Sequence, residues 1–165
     1  MLNVKIKRLS DTAIMPTYGS TKAAGMDLYA DLESTNAFLS YDQEYINGEK
    51  QRPKTCSILP HCKAMVSTGV AMAIPDGYVG LIFARSGIAC KKDLRPSNCV
   101  GVIDSDYRGN IMVCLHNDSD TVQTFDNHDR IAQMIIMPYP SINLIEVDEL
   151  ESTERGSGGF GSTGN

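Results

Sequence analysis

The chain has 165 residues, of which 42% are hydrophobic and 21% charged, with a formal net charge of −5. Such a length and composition suit one compact globular domain with its own core. Acidic and basic residues are scattered without an extended lysine or arginine run, so no nucleic-acid or membrane partner is expected. The apolar runs, such as IAQMIIM, are too short to cross a bilayer. The N-terminus is unlike a signal peptide, and we expect a cytoplasmic protein.

Apolar residues alternate with a period of two over residues 2–6, 66–74 and 111–115. This alternation places apolar side chains on one face of a β-strand. No stretch has a sustained helical stripe, so the sequence predicts an all-β barrel or sandwich of short strands. Turn-forming sequences separate the runs: PDG at 75–77, DYRGN at 106–110 and DNHD at 126–129.

Two segments, 78–84 and 131–137, are apolar at nearly every position. A strand of this kind is typically covered on both faces. A small single barrel has few such strands, whereas a subunit interface provides a second cover. We therefore expect a homo-oligomer.

Residues 31–60 are polar and lack strong periodicity, which indicates an excursion between core strands, such as a protruding hairpin. The last ten residues, GSGGFGSTGN, include five glycines, and this composition is typical of a disordered end. We divide the chain into a β-barrel domain over 1–150 and a glycine-rich arm over 151–165. Five cysteines with no metal-like spacing are expected to be reduced thiols, several of them buried.

The segment GVIDSDYRG at 101–109 has the strongest chemical signal. Two glycines bracket a run that enters apolar and leaves through a turn, which favours a β-hairpin with Asp104 and Asp106 near its tip. A carboxylate in such a place can accept a proton from water. The residues alone are equally consistent with two carboxylates that only shape the turn.

Other polar residues have weaker signals. Arg85, Ser86 and Gly87 combine a fork of N–H donors, a hydroxyl and an open backbone, which suits a phosphate as well as it suits a surface turn. The glycines after Arg155 expose N–H groups that can wrap phosphates. Asp27 and Gln133 are consistent with a strand-end carboxylate and a polar sheet residue.

Five short segments, in order, resemble the five motifs of the trimeric deoxyuridine triphosphatases (dUTPases). The resemblance runs from about residue 2 to 164, except over the excursion, which is longer than the family usually has. Ala84 and Ile88 stand where the family usually has Pro and Leu. The segments are AAGMDLYA at 23–30, ARSGIA at 84–89, GVIDSDYRG at 101–109, RIAQ at 130–133 and RGSGGFGSTG at 155–164.

The resemblance implies a distorted jelly-roll β-barrel that forms a homotrimer with active sites shared between subunits. It implies hydrolysis of dUTP to dUMP and pyrophosphate by water attack on the α-phosphorus, which limits uracil in DNA and supplies dUMP for thymidylate synthesis. Asp104 would be the general base and Asp106 would shape the turn. Mg²⁺ would be held mainly by the three phosphates and water.

The resemblance also assigns the substrate contacts. Uracil would be bound by the Asn98 side chain and by the backbone of Gly101, Val102, Ile103 and Met112, with Tyr107 flat against the deoxyribose. Asp27 would lie behind the phosphate site, hydrogen-bonded to metal-bound water or to a neighbouring Arg. The phosphates and the closing arm would involve Arg85, Ser86, Gly87, Gln133, Arg155, Phe160, Gly161 and Ser162.

Two other functions are alternatives. A dCTP deaminase of the same superfamily would have a catalytic Glu ten positions beyond Asp104, where this chain has Cys114; because a Cys cannot replace the carboxylate in proton shuttling, deamination is the less favoured of the two. A non-catalytic or regulatory binding protein could use the dUTPase fold, with the excursion at 31–60 as its partner surface.

Overall fold

The computed structural model describes residues 2–33, 45–46, 49–50 and 54–159. Fourteen short strands and one helix lie in this part of the chain. The helix α1 spans Ser86–Lys92. The strands are β1 (Lys5–Arg8), β2 (Thr17–Tyr18), β3 (Met26–Tyr29), β4 (Tyr45–Ile46), β5 (Glu49–Lys50), β6 (Thr55–Ile58), β7 (Lys63–Ser67), β8 (Val70–Ala73), β9 (Tyr78–Phe83), β10 (Leu94–Pro96), β11 (Gly101–Ile103), β12 (Met112–Asn117), β13 (Gln123–Asp126) and β14 (Arg130–Pro138).

The strands form antiparallel sheets, which confirms the all-β prediction. The largest sheet has the order β11-β9-β14-β3-β2, and a second has the order β10-β12-β7. Two-stranded sheets pair β1 with β8, β13 with β6 and β4 with β5. Five candidate site residues lie on strands of the five-stranded sheet: Asp27, Gly101, Val102, Ile103 and Gln133.

One hydrophobic core fills the space between these sheets. Ile111, Val113 and Leu115 are at most 2% exposed and lie on one face of the chain, as their alternation predicts. Burial of each such side chain contributes about 1.5–3 kcal/mol relative to exposure. Phe125 on β13 and Met134 on β14 belong to the same cluster, so the core joins separate sheets.

The alternating run at 66–74 is not one strand, as its period suggested. The chain breaks between β7 and β8 at Gly69, which has a φ of +67°. A Cβ atom there would collide with the Asp31 carboxylate, so the left-handed turn requires glycine. Beyond this turn β8 pairs with β1, while β7 pairs with β12.

The two continuously apolar segments lie side by side as β9 and β14. Ile82 and Met134 are at most 2% exposed, whereas Leu81 and Phe83 are half-buried on the other face. One face is therefore covered within the chain. Cover of the second face by another subunit stays a prediction.

Within the excursion, β4 and β5 form an antiparallel pair, and its other residues between 34 and 53 lie outside the described part of the chain. One turn holds both of its ends. The Asn127 side-chain oxygen accepts from the Leu32 N–H at 2.8 Å, and the Asn127 N–H donates to the Lys54 carbonyl at 2.6 Å. The excursion thus starts and ends on the β13–β14 turn. It is shorter than the predicted 31–60, because Thr55–Ile58 form strand β6, whose Cys56 and Ile58 belong to the core.

All five cysteines are free thiols. Burial raises the pKa of the Cys56 thiol to about 11, because desolvation disfavours the thiolate. Cys62 and Cys114 are half-buried, while Cys90 and Cys99 are exposed, so full burial applies to one thiol and not to several. Within the described residues, no helix combines the length and the apolar character needed to cross a membrane.

Candidate active site

A carboxylate that binds two arginines forms one end of the candidate site. Asp27 on β3 is 8% exposed. Its oxygens accept from Arg85 Nε at 2.6 Å and from Arg130 Nη1 at 3.3 Å. A buried carboxylate is stable only when such partners replace its water. The two guanidinium groups are therefore held close together beside β3, which is an inner strand of the five-stranded sheet.

The sheet register brings Gln133 to the same place. Gln133 on β14 lies opposite both Asp27 on β3 and Phe83 on β9. Its Nε2 donates to the Ala84 carbonyl at 2.9 Å. Gly25 leaves room for this amide, because a Cβ atom there would be 2.9 Å from Gln133 Oε1. Gln133 thus fixes the backbone that leads from β9 to Arg85.

Arg85 is followed by a helix, where the sequence indicated a turn. Helix α1 has Arg85 as its N-cap residue and buries Ile88. Because only one of the seven helical residues is buried, α1 has no apolar stripe, and the apolar periodicity of the sequence could not predict the helix. Lys91 and Lys92 lie in the last turn, where their positive charges interact favourably with the helix dipole and stabilise the helix.

Ser86 and Gly87 occupy the first turn of α1. Both are exposed, and a Cβ atom at Gly87 would meet no atom within 4 Å. The backbone N–H groups of a first helical turn have no partners within the helix. Together with Arg85, this segment offers hydrogen-bond donors to an anion.

The predicted β-hairpin at 101–109 is wrong in one respect, because the strands that flank the turn do not pair. β11 pairs with β9, whereas β12 pairs with β7 and β10. The flanking strands belong to different sheets, and each satisfies its ladder hydrogen bonds with other neighbours. β11 is the last strand of its sheet, and none of the described strands pairs with its second edge.

Only eight residues join β11 to the start of β12. We call the backbone of Gly101–Ile103 and Met112, which pair with other strands and not with each other, the slot. Val102 in its wall is 60% exposed. The side chain of Asn98 lies beside the slot, with Nδ2 3.6 Å from the position of a Cβ atom on Gly101. Backbone donors and acceptors are available to a flat ligand there.

Asp104 lies on the turn that joins the two walls of the slot. The Tyr107 N–H donates to the Asp104 carbonyl at 3.2 Å and closes the turn. The Asp104 side chain is exposed and hydrogen-bonds to no other group in the described ranges. Such a carboxylate is free to accept a proton from a bound water.

Tyr107 is fixed over the turn. Its hydroxyl donates to the Asn110 carbonyl at 2.9 Å. Gly109 lies directly beneath the ring, since a Cβ atom there would be 2.6 Å from the Tyr107 Cζ atom. The aromatic side chain is 43% exposed and presents a flat surface beside the slot.

In the described part of the glycine-rich arm, Arg155 hydrogen-bonds within its own segment. Arg155 Nε donates to the Gly158 carbonyl of its own segment at 2.9 Å, and Gly156 has a φ of +51°. Phe160, Gly161 and Ser162 lie outside the described residues. The structure therefore unites Asp27, Arg85 and Gln133, and among the described residues no hydrogen bond joins them to Arg155.

Two residues of the site were not singled out from the sequence. Arg130 shares the Asp27 carboxylate, and Asn110 binds the Tyr107 hydroxyl. Arg130 belongs to the RIAQ segment, and the expectation that Asp27 binds a neighbouring Arg was the signal for it. Nothing in the sequence indicated Asn110.

Comparison with known proteins identifies the family. A family model described as dUTPase matches residues 51–164. The deoxyuridine 5'-triphosphate nucleotidohydrolase of Escherichia phage T5 is 42% identical over 162 residues, covering 98% of each chain. That of Syntrophotalea carbinolica is 39% identical over 163 residues, covering 99% of this chain and 97% of the relative.

The chain belongs to the dUTPase family. A solved dUTPase structure from Staphylococcus bacteriophage 80alpha with dUPNHPP is similar over the full length of both chains, with a TM-score of 0.79 and 30% identity. The dUTPase of phage phi11 of S. aureus has a TM-score of 0.72 and 26% identity, covering 92% of this chain and 100% of the other. The barrel fold expected from the five motifs is thereby confirmed.

Proposed function

We propose that this chain hydrolyses dUTP to dUMP and pyrophosphate, which limits uracil in DNA and supplies dUMP for thymidylate synthesis. The observation that carries the proposal is the slot between Gly101–Ile103 and Met112, with Asp104 on the turn that joins its walls. Membership of the dUTPase family supports the same reaction.

Uracil suits the slot because its edge alternates acceptor, donor and acceptor. Backbone groups of Gly101, Val102, Ile103 and Met112 would complement this edge, and the Asn98 amide beside Gly101 would add a contact. Cytosine reverses part of the pattern and leaves buried groups unpaired. Mismatches of that kind can lower kcat/KM for the wrong base by a factor of roughly 10⁴–10⁵.

Hydrolysis requires one activated water at the α-phosphorus. Asp104 would accept its proton and so raise its nucleophilicity. Arg85, Ser86, Gly87 and Gln133 would bind the phosphates, and charge developing on the leaving pyrophosphate would be stabilised by donors already in place. Tyr107 would lie flat against the deoxyribose and exclude a 2′-hydroxyl.

The arm would complete the site. Arg155 would neutralise the γ-phosphate, Phe160 would stack on the base, and Gly161 and Ser162 would offer donors to the phosphates. Closure of such a segment excludes water and strengthens electrostatic interactions inside the site. The glycine-rich composition of 156–165 allows the required backbone approach.

The donor set fits Mg²⁺ held by the substrate. Within the described residues, no group of three or more His, Cys, Asp or Glu side chains could hold a metal. Both Asp27 oxygens already bind arginines, so we assign Asp27 to holding Arg85 and Arg130. Mg²⁺ bound by the triphosphate and water would neutralise part of its charge.

We infer a homotrimer with shared sites. Apolar side chains after β14 are strongly exposed, with Leu144 at 86%, Ile145 at 77% and Leu150 at 88%. Several large apolar side chains exposed along one short segment suit a surface that binds another protein. The segment leads directly to Arg155, so its docking on a second subunit would carry the arm toward that subunit's site. No nucleic acid or membrane is required, and the free thiols suit the cytoplasm.

Complementation tests the shared site. Asp104→Asn has an intact arm, and a variant lacking 155–165 has an intact base. Each is expected to be nearly inactive alone, whereas trimers reassembled from a mixture would recover part of the wild-type activity. A monomer by light scattering, or no recovery in mixed trimers, would contradict the inference.

A dCTP deaminase is disfavoured. Cys114 occupies the position of the required Glu and is half-buried on β12. A regulatory binding function, with the excursion as partner surface, is compatible with catalysis and is tested by a pull-down with and without residues 33–56.

The deciding assay measures products from dUTP, dTTP, dCTP and UTP with Mg²⁺ present. We expect pyrophosphate from dUTP far faster than from the other three. Ammonia from dCTP would establish the deaminase, and no turnover of any nucleotide would favour the binding protein.

A further inference from the structure

Asn110 connects Tyr107 to the interior of the barrel. Its carbonyl accepts from the Tyr107 hydroxyl at 2.9 Å. Its side-chain Nδ2 donates to Ser67 Oγ at 2.8 Å. One residue therefore joins an exposed aromatic ring beside the slot to a fully buried hydroxyl.

Ser67 is a rigid anchor. It is 0% exposed, and its Oγ also accepts from the Gly69 N–H at 3.0 Å. Its carbonyl accepts from the Asp31 N–H at 2.8 Å. Buried polar groups with this many partners are held in one position.

The bond to Ser67 is the single hydrogen bond of the Asn110 amide within the described residues. Asn110 Oδ1 is buried and has no hydrogen-bond partner there. A buried unpaired acceptor is costly, and a side chain that serves only to pack would avoid it. The unpaired Oδ1 is explained if the bond to Ser67 fixes Asn110 in the position that Tyr107 requires.

We propose that Asn110 is a positioning residue that holds Tyr107 in place and thereby sets the preference for deoxyribose over ribose. The inference rests on the proposed function, in which Tyr107 lies against the sugar. When Asn110 loses its anchor, its carbonyl and the phenol bound to it shift together. The pocket then has room for one further hydroxyl.

The test compares kcat/KM for dUTP and for UTP in Asn110→Ala. Loss of one buried hydrogen bond changes an equilibrium by roughly 2- to 10-fold, and we expect the dUTP-to-UTP ratio to fall by about that factor. KM for dUTP is expected to change more than kcat, because Asp104 is untouched.

Thr68→Val is the matched control. Thr68 Oγ1 donates to the Ile111 carbonyl at 2.7 Å in the same buried loop, and the Thr68 N–H bonds the same carbonyl at 3.1 Å. The variant loses a buried hydroxyl without releasing Asn110. Its dUTP-to-UTP ratio of kcat/KM is expected to equal that of the wild type. An equal fall of this ratio in Thr68→Val and Asn110→Ala would overturn the proposal.

Asn110→Leu is a second variant in case Asn110→Ala fails to fold. It is close to Asn in size, removes the unpaired Oδ1, and leaves Ser67 Oγ bonded to the Gly69 N–H. We expect a folded protein with a lowered ratio. A wild-type ratio in folded Asn110→Leu would overturn the proposal.

Combination with Tyr107→Phe gives an independent outcome. Tyr107→Phe removes the hydroxyl bond from the other side, so Asn110→Ala should lower the ratio no further in that background. Fully additive effects would overturn the proposal. If the wild-type protein does not hydrolyse dUTP, the proposed function is refuted. If the wild type prefers dUTP but the Asn110 substitutions leave the dUTP-to-UTP ratio of kcat/KM unchanged, only this inference is refuted.

Discussion

The two ends of the candidate site are built differently. At the phosphate end, Asp27 is 8% exposed and binds Arg85 and Arg130 before any ligand arrives. At the turn end, Asp104 and Asn98 are exposed, and neither side chain hydrogen-bonds to another described residue. One end is assembled in advance and the other is open.

The difference follows from what each end must do. Groups that stabilise charge act best when they need no reorganisation during the reaction. A general base must instead remain free to reach a water. The overall charge of −5 opposes a polyanion, so attraction depends on local arginines that are fixed in place.

The largest effect is expected from Asp104→Asn. Turnover of dUTP should fall by roughly 10²–10⁴, the scale of lost general-base catalysis, while dUTP still binds. The melting temperature should not change, because the side chain is exposed and unpaired in the described structure. Pyrophosphate release and calorimetric binding of a non-hydrolysable dUTP analogue check both parts. Near-normal turnover would remove Asp104 from the mechanism.

Removal of residues 155–165 should have the next largest effect. Arg155 bonds only within its own segment in the described structure, so the truncated chain should fold and assemble normally. Catalysis should fall by roughly 10²-fold, the effect of losing one donor to a developing charge. Circular dichroism, light scattering and pyrophosphate release measure this, and unfolding of the truncated chain would show that the arm is structural.

Asp27→Asn tests the preassembled end. Hydrogen bonds to charged groups contribute about 1.5–3 kcal/mol, so KM for dUTP should rise by roughly tenfold or more as Arg85 and Arg130 lose their shared partner. Asp118→Asn is the matched control, because Asp118 also binds an arginine, Arg95, at 2.6 Å but lies outside the site. Equal effects of both substitutions on KM would contradict a special role for Asp27.

The sequence predicted more of the sheet than of the site. Alternation at 111–115 correctly placed a buried face, because side-chain direction in a strand is a local property. The break at Gly69 depends on the distant Asp31 carboxylate, which no local pattern contains. The same applies to β11 and β12, whose partners come from β9 and β7. A paired hairpin was the local expectation, and tertiary contacts replaced it with two strands that pair with other neighbours.

A single added methyl group gives the smallest and most discriminating comparison of the two ends. In Gly109→Ala the new carbon would lie 2.6 Å from Tyr107 Cζ, and the ring must move. In Gly87→Ala it meets no atom within 4 Å, and alanine in a helical turn favours folding by about 0.4–1 kcal/mol.

We therefore expect Gly109→Ala to lower selectivity for dUTP over UTP by a few-fold, and Gly87→Ala to leave selectivity unchanged with an equal or higher melting temperature. If Gly87→Ala weakens dUTP binding, a phosphate approaches this backbone closely, as proposed above, since no atom of the structure within 4 Å opposes the methyl group. Unchanged selectivity in Gly109→Ala would show that the position of Tyr107 does not control the sugar.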